Sequence, residues 1–536
     1  TGWSEESRQA PLYRPWEQQG DKGGRRRQLP APCGLVVWLC LCIIVLNTMW
    51  MQGHALWPGR SSWGRRQARG GHALSSLHVH VFWQLDRTVE SFWGIEIPFL
   101  PTESAEEFVA SRQVGYTGEG VQRSEELSWA GVLSSLPPKD RRASTDVTGL
   151  CDSRMPEWFA HPEKTLVPLS DVANRPKPGK VICEQSSLLS LGRGLLERGL
   201  VKPLREKDLI QVAGEPLLNG LFGVPKGKPA PEDPEGREVL RLIMNLTATN
   251  EVSLPYEGDV GALPYFAQWR SLILGPDEEL LWSYDDMKGA FYLFKLPDSW
   301  APLFAFNVCF SAEELGLEKG KYKDGGVYLG AVTMPMGYLN AMGLVQYLHR
   351  RLLARGPQHP DGLLRSREIR KDRPVPALRP GSPLRELWQV YCDDADYVEK
   401  VLRETMKAQR LQSSTAQEVA SASGVFAQSA RKRYSVREVP LSEKNATSVQ
   451  RCKRLGALVD GRDGRVAVPP AKSGLVAMLT AHVLSQEIRR KDLQVVAGHW
   501  CCLGCFRREC TGVVSQDWSL INNWGRPSTK RHLLLE

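Results

Sequence analysis

Two short apolar runs in this chain each stop at a pair of aspartates: Leu280 to Tyr284 runs into Asp285-Asp286, and Leu387 to Tyr391 leads through Cys392 into Asp393-Asp394. Apolar runs of this length, rich in aromatic and aliphatic residues, read as buried strands. Carboxylates at their ends are then held rigidly with their oxygens facing a cleft. Like charges gathered in this way repel one another and raise their own pKa values unless a cation neutralises them. Magnesium, which prefers hard carboxylate oxygens and bridges to phosphates, is the natural partner. An isolated Asp-Asp pair is more often a turn; two pairs behind apolar strands call for a common explanation.

The surrounding texture sets limits on the architecture. Ser187 to Val201 has helical spacing, Val239 to Met244 reads as a strand, and Pro302 to Phe310 suggests another. Helical stretches between strands predict an α+β layer. The dense region begins near Ser187 and extends to about Val496. Residues 351 to 383, rich in Pro and Arg, read as a solvated basic insertion that could touch nucleic acid. Residues 81–185 yield no domain assignment. Residues 1–80 lack sustained periodicity and read as a poorly ordered N-terminal region, apart from an uncharged stretch at 33–51 about as long as the roughly 20 residues a membrane span needs. Arginines flank it on both sides, so charge sets no orientation.

Lys plus Arg number 69 against 60 Asp plus Glu, a formal charge of +9. That surplus is compatible with a polyanionic partner without demanding one. The 12 cysteines have no disulfide-framework spacing, which favours a reducing compartment, cytoplasmic or nuclear. Cys502, Cys505 and Cys510 resemble the opening of a zinc knuckle, but Ser515 stands where a fourth ligand is needed, so zinc is set aside.

Around the aspartates, several motifs stand in one order. Tyr391-Cys392-Asp393-Asp394 has the Y-x-D-D form of the reverse-transcriptase catalytic turn, and Asp286 to Phe291 the D-x4-[FY] form of that family's first carboxylate motif. Met334-Pro335-Met336-Gly337, continuing to Asn340, Ala341 and Gln346, resembles the intervening P-x-G segment. Leu221 to Lys226 and Arg241 to Asn250 are similar to fingers segments, Ser442-Glu443-Lys444 to the lysine-bearing motif, and Arg454 to Leu458 to the thumb-proximal L-G element. Over roughly residues 190–496 the chain resembles reverse transcriptases (RNA-directed DNA polymerases) of LTR retrotransposons, gypsy-like or DIRS-like.

The resemblance implies a right-hand polymerase: fingers at 186–275, a palm at 276–460 with the insertion 351–383, and a partial thumb or connection with a C-terminal tail at 461–536. It implies template-directed addition of dNTPs to a primer 3′-hydroxyl on an RNA or DNA template, with two Mg2+ ions (or Mn2+) held by Asp286, Asp393 and Asp394. Asp285, one place outside the motif, is read as a neighbour. Arg241 would neutralise triphosphate charge, and Phe291 would pack under the sugar and disfavour a 2′-hydroxyl. Gly337 would let backbone approach the base pair closely, Gln346 and Asn340 would position template or nucleotide, and Lys444 would protonate the leaving pyrophosphate.

Asn245 stands where Asp is common and Thr247 where a basic residue is frequent, so the implied rival is a decayed relic that binds nucleic acid without turnover. A third reading is a body tethered to a membrane through residues 33–51. No protease, ribonuclease H or integrase signature is visible, and the first residue is Thr1, as in an excised portion of a polyprotein.

Overall fold

The computed structural model describes residues 124–506 apart from short segments, the longest being 413–423, together with a few positions between 104 and 109. The apolar stretch 33–51 lies outside the described residues; among those described, no helix is long and apolar enough to cross a membrane. The chain divides into two compact units, Val114–Ser473 and a second comprising Thr1–Gln113 and Gly474–Glu536.

In the larger unit, helix α1 (Gln185–Glu197) leads into strand β1 (Val201–Arg205), followed by β2 (Gly220–Pro229), β3 (Glu238–Asn245) and β4 (Glu278–Asp286). Then come β5 (Val327–Ala331), α2 (Ala341–Leu353), β6 (Glu386–Tyr391), β7 (Asp394–Leu402), α3 (Val425–Val436), β8 (Ala446–Val449), β9 (Arg451–Arg454), β10 (Ala457–Asp460) and β11 (Arg465–Ala467). Helices and strands are mixed, as the alternating periodicities led one to expect. Strands β2 and β3 form an antiparallel ribbon, β1 pairs with β5, and β9, β10 and β11 make a small meander. The central element is a four-stranded sheet in the order β6-β7-β4-β8.

One face of that sheet carries Trp388, Val390, Ala395 and Tyr397 into a core shared with Leu344, Leu348 and Leu352 of α2 and Ala427, Ala430 and Tyr434 of α3. Helix α2 places apolar residues three and four apart toward the sheet. The opposite face holds a polar ladder: Trp269 donates to Gln389, Gln389 to Asp396, and Trp282 to Asp396 at 2.8–3.0 Å, with the two indoles edge to face at 4.7 Å. Each buried polar atom in that ladder has a partner, which is what its burial requires.

Three expectations change. The segment Pro302 to Phe310 is not a strand: Asp298–Phe304 is a 3-10 helix burying Trp300, Leu303 and Phe304, and only isolated bridges follow it. The core also begins well before Ser187, since Leu127, Val132, Val147, Met155 and Phe159 are buried in it. Val132, Met155 and Phe159 sit in helices of only five and six residues, Leu127 in an isolated bridge and Val147 in a bend, all too short to leave a periodic signature. Nor is the basic insertion merely solvated. Leu363, Ile369 and Leu378 are buried, Ile369 N–H donates to the Trp388 carbonyl, and Trp388 Nε1 donates to the Leu364 carbonyl, so the segment covers the open edge of β6. Its acidic residue Glu368 is paired from the end of α2. Arg350 binds Glu368 through Nε and Nη2 and binds Asp259 through Nη1, all three residues being largely buried.

In the smaller unit, α4 (Arg490–Gly504) packs Leu493, Trp500 and Cys501 around the buried Ala497. Trp500 Nε1 donates to the Thr480 hydroxyl.

Removing one member of a buried ion pair strands the other without compensation. Arg350→Met should therefore lower the unfolding free energy, read from urea denaturation, by roughly 3–5 kcal/mol. Adding Glu368→Leu to it should restore a large part. A single-variant loss under about 1 kcal/mol would show that the pair carries no such burden.

Candidate active site

The register of β7 against β4 builds the site. Asp394 lies opposite Asp286, Ala395 opposite Asp285, and Asp396 opposite Tyr284. Side chains along a strand alternate faces, so the adjacent aspartates part company. Asp285 goes to the helix-covered face, where its fully buried carboxylate meets Arg431 of α3 at 2.9 Å. Asp286 lies on the other face with Asp394. The Arg431 guanidinium also donates to the Thr447 hydroxyl and the Ala446 carbonyl, tying α3 to β8.

Asp393 joins them through the two-residue turn between β6 and β7. Met287 N–H donates to the Asp393 carbonyl at 2.9 Å, bringing the turn against the end of β4. Cys392, at φ +54°, is in the left-handed region that a non-glycine residue occupies only under constraint. Helix α2 supplies the constraint from two residues one turn apart. Gln346 accepts from Cys392 N–H and donates to the Val390 carbonyl, each at 2.7 Å. His349 holds the Cys392 carbonyl through Nδ1 at 2.6 Å, and its Nε2 lies 2.6 Å from the Tyr434 hydroxyl. A carbonyl can only accept, so Nδ1 carries the proton and Nε2 accepts from Tyr434. Complete burial pushes the His349 pKa down to about 4, which keeps the ring neutral and that tautomer in place. The Tyr397 hydroxyl donates onward to Tyr434 at 3.3 Å.

The carboxylates are unequally compensated. Asp286 accepts from the Ser442 hydroxyl at 2.5 Å and, through its carbonyl, from Ser442 N–H at 2.7 Å. Burial, followed by the charges of Asp394 and Asp286, pushes the Asp393 pKa up to about 6. Asp394 is also raised by burial but is offset by Arg454, whose Nη2 lies 3.0 Å from Asp394 Oδ1.

This bears on the cation the aspartates were expected to hold. Among the described residues, no group of three or more His, Cys, Asp or Glu side chains is arranged to hold a metal ion. The third expected ligand, Asp394, faces a guanidinium instead. Asp286 and Asp393 have no Arg or Lys ion pair among the described residues, and the charge of Asp286 is one of the influences that raise the Asp393 pKa.

The remaining candidates are distributed as follows. Arg241, exposed on β3 opposite Val224, is near enough for its charge to act favourably on Asp393. Lys226, two residues beyond Val224, was not singled out in the sequence. Desolvation and the neighbouring cations Arg241, Lys444 and Lys228 hold its ammonium below the usual range. Cations from β2, β3 and the loop after Ser442 are thus mutual neighbours, and of these Arg241 acts on Asp393. Lys444 is exposed on that loop, and its N–H donates to the Ser442 hydroxyl. Phe291 is half-buried in the short helix that follows Gly289.

Three of the residues expected to meet template or nucleotide make close contacts within the fold. Gln346 is 1% exposed, with its amide engaged by the backbone of the turn between β6 and β7, so it positions Cys392 from inside the core. Asn340, also buried, accepts from Tyr256 N–H and donates to the Leu254 carbonyl, tying the start of α2 to that segment. Gly337, at φ +109°, makes its close approach to β3: a Cβ there would lie 2.3 Å from the Met244 carbonyl oxygen.

The Asp393 shift has a definite sign. Between the ordinary value of 3.8 and about 6 the folded chain keeps a proton that the unfolded chain has lost. The contribution of this group therefore falls as pH rises through that window. In metal-free buffer, Asp393→Asn should stabilise the protein by about 1–2 kcal/mol at pH 7.5 and by little at pH 4.5. Urea curves at the two pH values check this; an equal effect at both would contradict it.

No family model matches the chain, and no curated protein matches it. Many solved structures are similar, two of which align as follows. The foamy viral protease-reverse transcriptase dRH in complex with ds DNA aligns at TM-score 0.37 and 14% identity, over 72% of this chain and 56% of that one. The foamy viral protease-reverse transcriptase in complex with RNA/DNA hybrid aligns at TM-score 0.36 and 14% identity, over 66% and 36%. The chain thus spans well under two thirds of either.

Proposed function

We propose that this chain is a reverse-transcriptase-like nucleic-acid polymerase that adds dNTPs to a primer 3′-hydroxyl on an RNA or DNA template. The observation that carries the reading is convergence. Two carboxylate motifs far apart in sequence, Asp286 and Asp393-Asp394, meet at one end of one sheet, and Arg241, itself a neighbour of Lys226, acts on Asp393. In this reading β6-β7-β4-β8 is the palm, and β2 with β3 the fingers ribbon.

The chain's own groups divide the work. Asp286 and Asp393 present negative charge where the primer terminus and nucleotide phosphates meet. A magnesium or manganese ion held by these two would neutralise that charge and orient phosphate oxygens. Arg241 and Lys226 take the triphosphate charge, with the guanidinium fork of Arg241 suited to paired phosphate oxygens. Lys444 stands ready to protonate the leaving pyrophosphate, and Phe291 packs against the sugar. Gln346, His349 and Tyr434 keep Asp393 in place by fixing the turn behind it.

Primer extension on poly(rA)·oligo(dT) with dTTP tests the reading. The wild-type chain should extend the primer, and Asp393→Asn should reduce incorporation by a factor of roughly 100 or more, the loss expected when a key charged group is removed from such a site. Incorporation that ignores Asp393→Asn sinks the assignment. Arg241→Ala should raise the KM for dTTP by roughly 10-fold, the loss of one charge-assisted contact, while binding of primer–template changes little. Salt-dependent binding of primer–template without any incorporation would favour the non-catalytic relic.

A further inference from the structure

We propose that Ser442 is a positioning residue of the site: its hydroxyl holds the carboxylate of Asp286 and, through the same oxygen, the start of the loop that carries Lys444. The roles of Asp286 and Lys444 are those of the polymerase reading, on which this inference rests.

The backbone decides where Ser442 stands. Met287 and Leu441 form an antiparallel bridge, Lys288 N–H donates to the Pro440 carbonyl at 2.9 Å, and Ser442 N–H donates to the Asp286 carbonyl at 2.7 Å. Four residues after Ser442, Ala446 opens β8 and lies opposite Tyr284 of β4. The segment is thus stitched to β4 on both sides of residues 443–445, which are exposed. None of these bonds uses the serine side chain.

That side chain joins two elements of the site. Ser442 Oγ accepts from Lys444 N–H at 3.1 Å, a turn of the kind that hydroxyls form with the backbone two residues on. A hydroxyl has a single proton, and here it is donated to Asp286 Oδ2 at 2.5 Å. Asn445 Nδ2 donates to the Ser442 carbonyl at 2.9 Å and closes the loop on itself. Asp286 is the last residue of β4, and a carboxylate at a strand end can change rotamer unless a partner holds it. Its neighbours are held in other ways: Asp394 by Arg454 at 3.0 Å, and Asp393 through the turn gripped by Gln346 and His349. Ser442 performs that task for Asp286. A neutral hydroxyl restrains the carboxylate without cancelling its charge, whereas Asp285 on the other face is neutralised by Arg431. A hydrogen bond to an ionised acceptor is stronger than one between neutral groups, and the placement of a reacting group by a fraction of an ångström governs rate more than affinity.

Steady-state primer extension by the full chain on poly(rA)·oligo(dT) with dTTP tests the role, with primer–template affinity and circular dichroism measured on each protein. Ser442→Ala leaves the backbone bonds in place; it should fold and lower kcat by about 10- to 100-fold, while the KM for dTTP and the primer–template Kd stay within about twofold. Ser442→Thr, which keeps the hydroxyl, should retain most of kcat. Ser442→Cys, close in size but a weak donor, should fall with the alanine variant, and it decides the matter if that variant does not fold. A folded Ala or Cys variant with wild-type kcat overturns the proposal. So does a Thr variant as slow as Ala, or a loss confined to KM or to primer–template affinity. A wild-type chain that extends nothing removes the polymerase reading and this role together; an active wild-type chain matched by Ser442→Ala removes the role of Ser442 alone.

Discussion

Five carboxylates crowd one end of a twisted four-stranded sheet, and the architecture around them is organised by the need to keep them there. Asp285, Asp286, Asp393, Asp394 and Asp396 come from two strands and the turn joining β6 to β7. Partly buried like charges push one another toward protonation or outward into water. The chain answers with two arginines, one per face. Arg431 reaches Asp285 from α3, while Arg454 reaches Asp394 and Asp396 from β9. Both arginines lie downstream of all five aspartates, so the charge balance is complete only when α3, β8 and β9 have docked against the sheet.

The second constraint is mechanical. The turn that carries Asp393 uses a cysteine in a left-handed conformation, and Gln346 and His349 grip the N–H and C=O of that residue. The grip is backed by Tyr434, so α2 and α3 act together as a rigid support behind the turn. Neutral His349 suits this place: a charged ring would be costly under complete burial, and the opposite tautomer would present a lone pair to a carbonyl. The aromatic ladder of Trp269, Trp282 and Gln389 performs the corresponding task on the opposite face, fixing Asp396 and through it Arg454.

Much of this was legible in the order of residues. Strands β3, β4 and β6 and helix α1 follow from short apolar runs and helical spacing, and the expected site aspartates stand where the runs of β4 and β6 end. Helical spacing and strand alternation report on local burial, and those elements are locally simple. The misread segments share a different character. The described residues of 124–184 enter the core through helices of five and six residues and isolated bridges; Asp298–Phe304 buries apolar residues in a 3-10 helix; and 351–383 covers a sheet edge under a polar, proline-rich composition. In each, burial is decided by distant partners and leaves no period in the sequence.

The roles of Gln346, Gly337 and Arg454 show the same division at the site. As letters in a motif, the first two suggest contact with a nucleotide and the third belongs to a turn. In the fold, Gln346 holds Cys392, Gly337 passes under the Met244 carbonyl, and Arg454 stands among the carboxylates. The sequence by itself determined which residues carry charge and which runs must be buried, because those properties belong to side chains and their near neighbours. Which carboxylates are left uncompensated was decided only by tertiary structure. It depends on the pairing of β7 with β4, which sends Asp285 and Asp286 to opposite faces, and on two arginines brought in from remote segments of the chain.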